Sequence, residues 1–162
     1  MAGDVEEIQV LKIPATLDAL EPLREYVSRV ACKAGLNKQA TYRLCLAVDE
    51  LAANTIIHGY GKIRVHGLLV LKARINQRSI SLILEDTGPP FDPSSIPIPD
   101  DLHAPPEKRK LGGLGIYLAI KSVDDFSYQY IDGRNCKTIT MLRPANETGN
   151  SSTDEGKSMT GS

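Results

Sequence analysis

The sequence predicts an α+β fold, a two-layer α/β sandwich with helices packed on one face of a mainly antiparallel sheet. Three observations carry this. Apolar residues recur at helical spacing over two early segments, the period then changes to two, and a last short helical stretch is followed by two strands around a turn. The resulting order is strand, two helices, two strands, loop, helix, two strands.

Val5 to Ile13 carries Val5, Ile8, Val10, Leu11 and Ile13 ahead of Pro14, and reads as an opening strand. Thr16 suits an N-cap, and from there to Ala34 the residues Leu17, Leu20, Leu23, Val27 and Val30 keep helical spacing, with Gly35 as the C-cap. Pro22 inside this span places the true helix start near Leu20. Asn37 suits the cap of a second helix, from Lys38 to about His58, ended by Gly59 and Gly61. Ile63 to Ile75 and Ser79 to Glu85 alternate as strands do, around the turn Asn76-Gln77-Arg78. Gly88 to Lys110 holds seven of the ten prolines and reads as a long functional loop. Helical character returns from Gly113 to Ser122. The strands Asp125 to Ile131 and Cys136 to Leu142 then flank a turn at Asp132-Gly133-Arg134-Asn135. Residues 1–143 read as one domain, and 144–162, polar and small, as a disordered tail.

Hydrophobic residues make up 41% of the 162 and charged residues 24%, ordinary for a globular protein. A formal net charge of −1 offers no global electrostatic case for binding nucleic acid or an anionic membrane. The N-terminus is too polar for a signal peptide, and the apolar runs stop well short of the ~20 residues that span a bilayer. Cys32, Cys45 and Cys136 are odd in number, far apart and without metal-ligand spacing, and read as buried reduced thiols. A soluble cytoplasmic protein is expected.

Three motifs carry chemistry. In VDELAANTIIH, Glu50 and Asn54 lie four apart, on one helix face. An amide oxygen there can complete the oxygen shell of Mg²⁺, and a carboxylate one turn away can take a proton. The same spacing also suits a solvated stripe. In EDTGPPFDP, Asp86 ends an apolar strand and Gly88 follows; such a carboxylate can accept from an exocyclic amine, or the stretch can be a plain turn. In LGGLG, the glycines Gly112, Gly113 and Gly115 open a helix, where backbone N–H groups and the helix dipole favour phosphate.

Together these resemble the GHKL ATPase superfamily of gyrase, histidine kinases and MutL, which has the Bergerat fold. Glu50-x-x-x-Asn54 matches its N box, Asp86-x-Gly88 its adenine-binding glycine box, and Gly113-x-Gly115 its second glycine box. DELAANTIIHGY, EDTGPPFDP and GGLGIYL in a chain this short look like the anti-sigma factor serine kinases of the RsbW and SpoIIAB type, over roughly Ile8 to Arg143.

The resemblance implies ATP and Mg²⁺ as cofactors. Glu50 would be the general base toward a serine hydroxyl, Asn54 would hold Mg²⁺, and Asp86 would contact the adenine amine with Gly88 allowing its approach. Gly112, Gly113 and Gly115 would sit under the phosphates, and residues 88–110 would form the ATP lid. Arg109 and Lys110 could bring positive charge to the γ-phosphate, or be part of a solvated charge run. The implied partners are a sigma factor, an anti-sigma antagonist of STAS type as phosphorylation substrate, and a second copy of the chain. An ATP-responsive regulator without kinase activity is the alternative. A detached histidine-kinase ATPase domain fits less well, because the first strand and helix look native to a stand-alone domain. His58, four after Asn54, could approach the site but reads rather as a helix-end packing or capping residue, His66 and His103 share no ligand spacing, and Asp49, about 100° around the helix from Glu50, reads as structural or solvent-facing.

Overall fold

The computed structural model describes residues 4–61, 66–95 and 114–145. Strand β1 (Glu6–Pro14) leads through a single 3-10 turn (Leu17–Ala19) into helix α1 (Leu20–Lys33). Pro22 falls in the first turn of α1, as its sequence position demands. Thr16 makes no side-chain capping bond, however, and Leu17 is 59% exposed because it lies in the preceding turn, off the α1 stripe. Helix α1 gives way to Gly35 at φ +76, and Arg143 Nε donates to the Ala34 carbonyl at 2.8 Å.

Helix α2 spans Lys38–Asn54, and Asn37 caps it by accepting from Ala40 N at 2.8 Å. Replacing that cap, Asn37→Ala, should cost about 1 kcal/mol. The expected reading is a lower urea midpoint with an unchanged slope. The predicted stop at Gly59 is corrected by the structure. The chain continues from α2 through a wider π-helical turn, Thr55–Tyr60, with Gly59 inside it. Thr55 Oγ1 donates back to Leu51 O at 3.0 Å within this junction.

Strands β2 (Leu68–Ile75) and β3 (Ser79–Asp86) follow. The strand predicted from Ile63 begins later: 62–65 lie outside the described residues, and His66 and Gly67 are not in a strand. Asn76 Oδ1 accepts from both Arg78 N and Ser79 N at 2.8 Å, which closes the turn the sequence predicts. Helix α3 (Leu114–Ser122) precedes β4 (Asp125–Ile131) and β5 (Arg134–Leu142). The last turn is shorter than predicted. Asp132 and Gly133, at φ 52 and 76, complete it alone, and Arg134 and Asn135 belong to β5.

The sheet order is β1-β2-β3-β5-β4, with every neighbouring pair antiparallel. This is the predicted α+β architecture. The core lies between the sheet and the helices. Leu23, Val27 and Val30 of α1, Leu44, Val48 and Leu51 of α2, and Ala119 of α3 meet Leu69, Leu71, Ile80, Leu82, Leu84 and Ile139 of the strands. Asp49 lies off that core, and Arg24 grips it with two bonds of 2.9 and 2.7 Å, tying α1 to α2. The thiols are free but not buried, contrary to expectation: Cys32 is exposed, and Cys45 and Cys136 are half-buried. Cys136 alternates away from the core face of β5. No helix among the described residues is long and apolar enough to cross a membrane. Most of the expected lid (96–110), with His103, Arg109 and Lys110, lies outside the described residues, as do Gly112, Gly113 and the tail from 146.

Candidate functional site

The site grows out of sheet register. On the core face of β3, Ile80, Leu82, Leu84 and Asp86 follow one another at period two, and on β5 Met141, Ile139, Lys137 and Asn135 do the same. The pairs Ile80↔Met141 and Leu82↔Ile139 are apolar, whereas Leu84↔Lys137 and Asp86↔Asn135 turn polar at one end of the row. The hydrophobic core therefore ends in a charged and amide-bearing floor. Asp86, Asn135 and Lys137 are only 4%, 2% and 3% exposed, so each needs a partner.

Those partners form one network. Asp86 Oδ1 accepts from Gly88 N and from Asn135 Nδ2, both at 2.9 Å. The Asn135 amide also reaches the carbonyls of Gly88 at 3.2 Å and Pro89 at 3.0 Å. Its Oδ1 accepts from Tyr128 OH at 2.5 Å and Phe91 N at 3.1 Å. Asn135 thus fastens the root of the long loop to β3, β4 and β5. Lys137 Nζ donates to Thr55 Oγ1 at 2.6 Å and faces Asp86 Oδ2 at 3.5 Å. Burial pushes the Lys137 pKa below the ordinary lysine value, and the Asp86 charge opposes that shift. Burial raises the Tyr128 phenol.

From the helical side, Leu44, Ala47, Val48, Leu51 and Ala52 hold α2 against the core and leave Glu50 and Asn54 half-buried on its flank. The π-helical turn then widens the backbone and brings His58 and Gly59 to the same hollow. Such turns often occur at functional sites. Its last residue, Tyr60, donates to Leu68 O at 3.1 Å and accepts from Thr87 N at 2.8 Å, fixing the residue between Asp86 and Gly88.

A cavity of about 240 Å³ results, lined by Asn54, Thr55, His58, Asp86, Phe91 and Lys137 among others. Asn54 and Asp86, singled out on separate elements in the sequence, meet there. Gly88 is held to Asp86 at its edge. Glu50 sits one turn back, against the start of α3: a Cβ on Gly115 would collide with the Glu50 carboxylate. Arg109, Lys110, Gly112 and Gly113 cannot be placed, being outside the described residues. Lys137, Asn135, Thr55, Tyr60 and Tyr128 escaped the sequence reading. The signal for the first two was present, since NCKTITM puts Asn135 and Lys137 on the core face with Ile139 and Met141.

The fold is an α+β sandwich with a polar-floored pocket between α2 and the ends of β3 and β5. The histidine kinase-like ATPase domain family matches residues 13–143, and the chain belongs to that family. Within it, the chain is similar to proteins named serine-protein kinase RsbW. One from Listeria monocytogenes is 26% identical over 140 residues, covering 85% of this chain and 87% of that protein. Another from Staphylococcus aureus is 24% identical over 141 residues, with 85% and 87% covered. A third, from Oceanobacillus iheyensis, is 28% identical over 118 residues, covering 71% and 74%. The crystal structure of the RsbU and RsbW domains of a Mycobacterium tuberculosis protein shares the fold, with a TM-score of 0.56 and 19% identity. The match covers 85% of this chain and 34% of that longer one.

Proposed function

We propose that the protein is an ATP-dependent serine/threonine protein kinase that also binds a sigma factor and keeps it from RNA polymerase. Phosphorylation of a STAS-type antagonist on serine or threonine resets the switch, because added phosphate opposes binding by charge and desolvation. The observation that carries the reading is the meeting of Asn54 and Asp86 in one cavity, with Glu50 a turn away against Gly115. The names of the RsbW relatives support the kinase class, and the sigma factor and antagonist rest on the resemblance stated above.

The residues present fit the nucleotide. An amide from α2 and a carboxylate from β3 face one hollow with apolar Pro90 and Phe91 beside them, a composition typical of small-molecule pockets. Among the described residues no three His, Cys, Asp or Glu side chains gather into a metal cage. A cation here would take Asn54 oxygen together with phosphate and water oxygens. Bound ATP with Mg²⁺ would supply the phosphoryl group. Of the chain's own groups, Asn54 holds the cation, Asp86 accepts from the base amine beside Gly88, and Glu50 takes the proton from the partner's hydroxyl. Gly112, Gly113 and Gly115 would offer backbone N–H groups to the phosphates, and Arg109 and Lys110 would supply positive charge. Residues 1–143 form the kinase domain, 88–110 its lid and 144–162 a tail, in a cytoplasmic homodimer.

Calorimetry with and without Mg²⁺ tests the site. The native protein should bind ATP in a Mg²⁺-dependent manner, and Asn54→Ala should lose that dependence and weaken binding at least tenfold. A folded native protein that binds no ATP overturns the reading.

A further inference from the structure

We propose that Lys137 determines base recognition in this pocket: Asp86 and Lys137 present an acceptor and a donor side by side, reading the amine of a purine and a ring nitrogen flanking it. The inference rests on the nucleotide reading above and goes beyond it by assigning a second base-reading side chain.

The core row of β5 would accept a leucine where Lys137 stands, since Ile139 and Met141 follow it on the same face. An ammonium there, 3% exposed, must be compensated. It has three N–H donors. One goes to Thr55 Oγ1 at 2.6 Å and one toward Asp86 Oδ2 at 3.5 Å, while the third meets no acceptor among the described residues. The residue lines the cavity.

Asp86 shows the matching asymmetry. Its Oδ1 is taken by Gly88 N and Asn135 Nδ2. Among the described residues its Oδ2 faces only the Lys137 ammonium, at the long end of hydrogen-bond distance, and keeps accepting capacity. Spare donor and spare acceptor thus lie 3.5 Å apart on one wall. A planar edge with an N–H donor beside a lone-pair nitrogen is their complement, and the adenine amine is flanked by two such nitrogens, N1 and N7. Thr55 and Asn135 hold the two side chains in place, so the wall is preorganised. A lysine that served only to neutralise Asp86 would not distinguish bases differing by one ring nitrogen.

The test is calorimetric titration of the native protein with ATP, 1-deaza-ATP and 7-deaza-ATP in the presence of Mg²⁺, repeated on Lys137→Met. The expected result is that one of the two analogues binds the native protein roughly tenfold or more weakly than ATP. In Lys137→Met, ATP and that analogue should bind alike. Which analogue fails identifies N1 or N7 as the atom read. Equal binding of all three nucleotides to the native protein overturns the inference, as does a gap that persists in Lys137→Met. Should the variant fail to fold by circular dichroism, equal binding of the three nucleotides by the native protein still overturns the inference. Absence of any ATP binding by the folded native protein defeats the nucleotide reading itself, and this inference with it.

Discussion

Glu50→Gln should lower phosphate transfer to a serine-bearing partner by roughly a hundredfold to ten-thousandfold, the range lost with a general base, while ATP binding stays near native. The geometry makes this substitution clean. Glu50 is half-buried on the flank of α2, and its carboxylate lies where a Cβ on Gly115 would be. An amide of the same shape keeps that contact with the start of α3, so packing changes little. What changes is proton affinity: a carboxamide cannot take the hydroxyl proton. Asn54, one turn on, lines the cavity itself and is untouched. The informative pattern is a split, with transfer lost in Glu50→Gln and Mg²⁺-dependent binding lost in Asn54→Ala. Transfer at the native rate by Glu50→Gln would remove the base assignment. Native protein that binds ATP and never phosphorylates a partner would favour the ATP-responsive regulator instead.

Local signals were legible wherever the chain's own chemistry decides. The Asn37 cap, the Asn76 turn and the placing of Pro22 in the first turn of α1 all follow from short-range hydrogen bonding and backbone restriction. Tertiary contacts were not legible. Gly59 reads as a helix stop, yet the Thr55 bond to Leu51 O and the anchoring of Tyr60 on Leu68 and Thr87 carry the chain through it in a π-helical turn. His66 and Gly67 stay out of β2 in the same region, where the Tyr60 ring occupies the space a Cβ on Gly67 would need. Asn135 reads as a turn residue because Asp-Gly-Arg-Asn is turn chemistry, but two left-handed residues suffice, and register places Asn135 opposite Asp86. In the site, Asn54 and Asp86 stood out as polar residues amid apolar runs. Lys137 did not, because a charged residue in a strand is read by default as solvent-facing. Only the burial of its neighbours at period two shows that it points inward.

Removing Asp86 should destabilise the fold in a manner that depends on pH, and Lys137 sets both size and sign. The Asp86 and Lys137 side chains are each 3% exposed, and Asp86→Ala leaves the ammonium, among the described residues, with Thr55 alone. Breaking a buried pair from one side commonly costs about 3–5 kcal/mol. The stranded ammonium's share of the loss has a ceiling, because the lysine can shed its proton; the bonds that Asp86 accepts from Gly88 N and Asn135 Nδ2 are lost in addition. Each pH unit between the medium and the ordinary lysine value of 10.5 represents about 1.36 kcal/mol, so at about pH 7.5 that share is at most about 4 kcal/mol. Burial already lowers the Lys137 pKa, and without the opposing Asp86 charge it falls further. Between that lowered value and 10.5 the unfolded chain carries a proton the folded chain lacks, so stability rises with pH across the window. Asp86→Ala should therefore gain stability from about pH 7.5 to 9.5 relative to native protein in urea titrations. Cys136, Tyr26 and Tyr128, whose pKa values burial raises, push the opposite way; the burial part cancels in the difference, and loss of the Asp86 charge, a lesser cause of the Cys136 and Tyr128 shifts, relaxes those two and adds to the relative gain. Adding Lys137→Met to Asp86→Ala should flatten that relative slope and recover much of the lost stability, since the two buried charges leave together. A single variant whose stability relative to native is independent of pH, or a double variant no more stable than the single one at pH 7.5, would show that Lys137 does not depend on Asp86 for its burial.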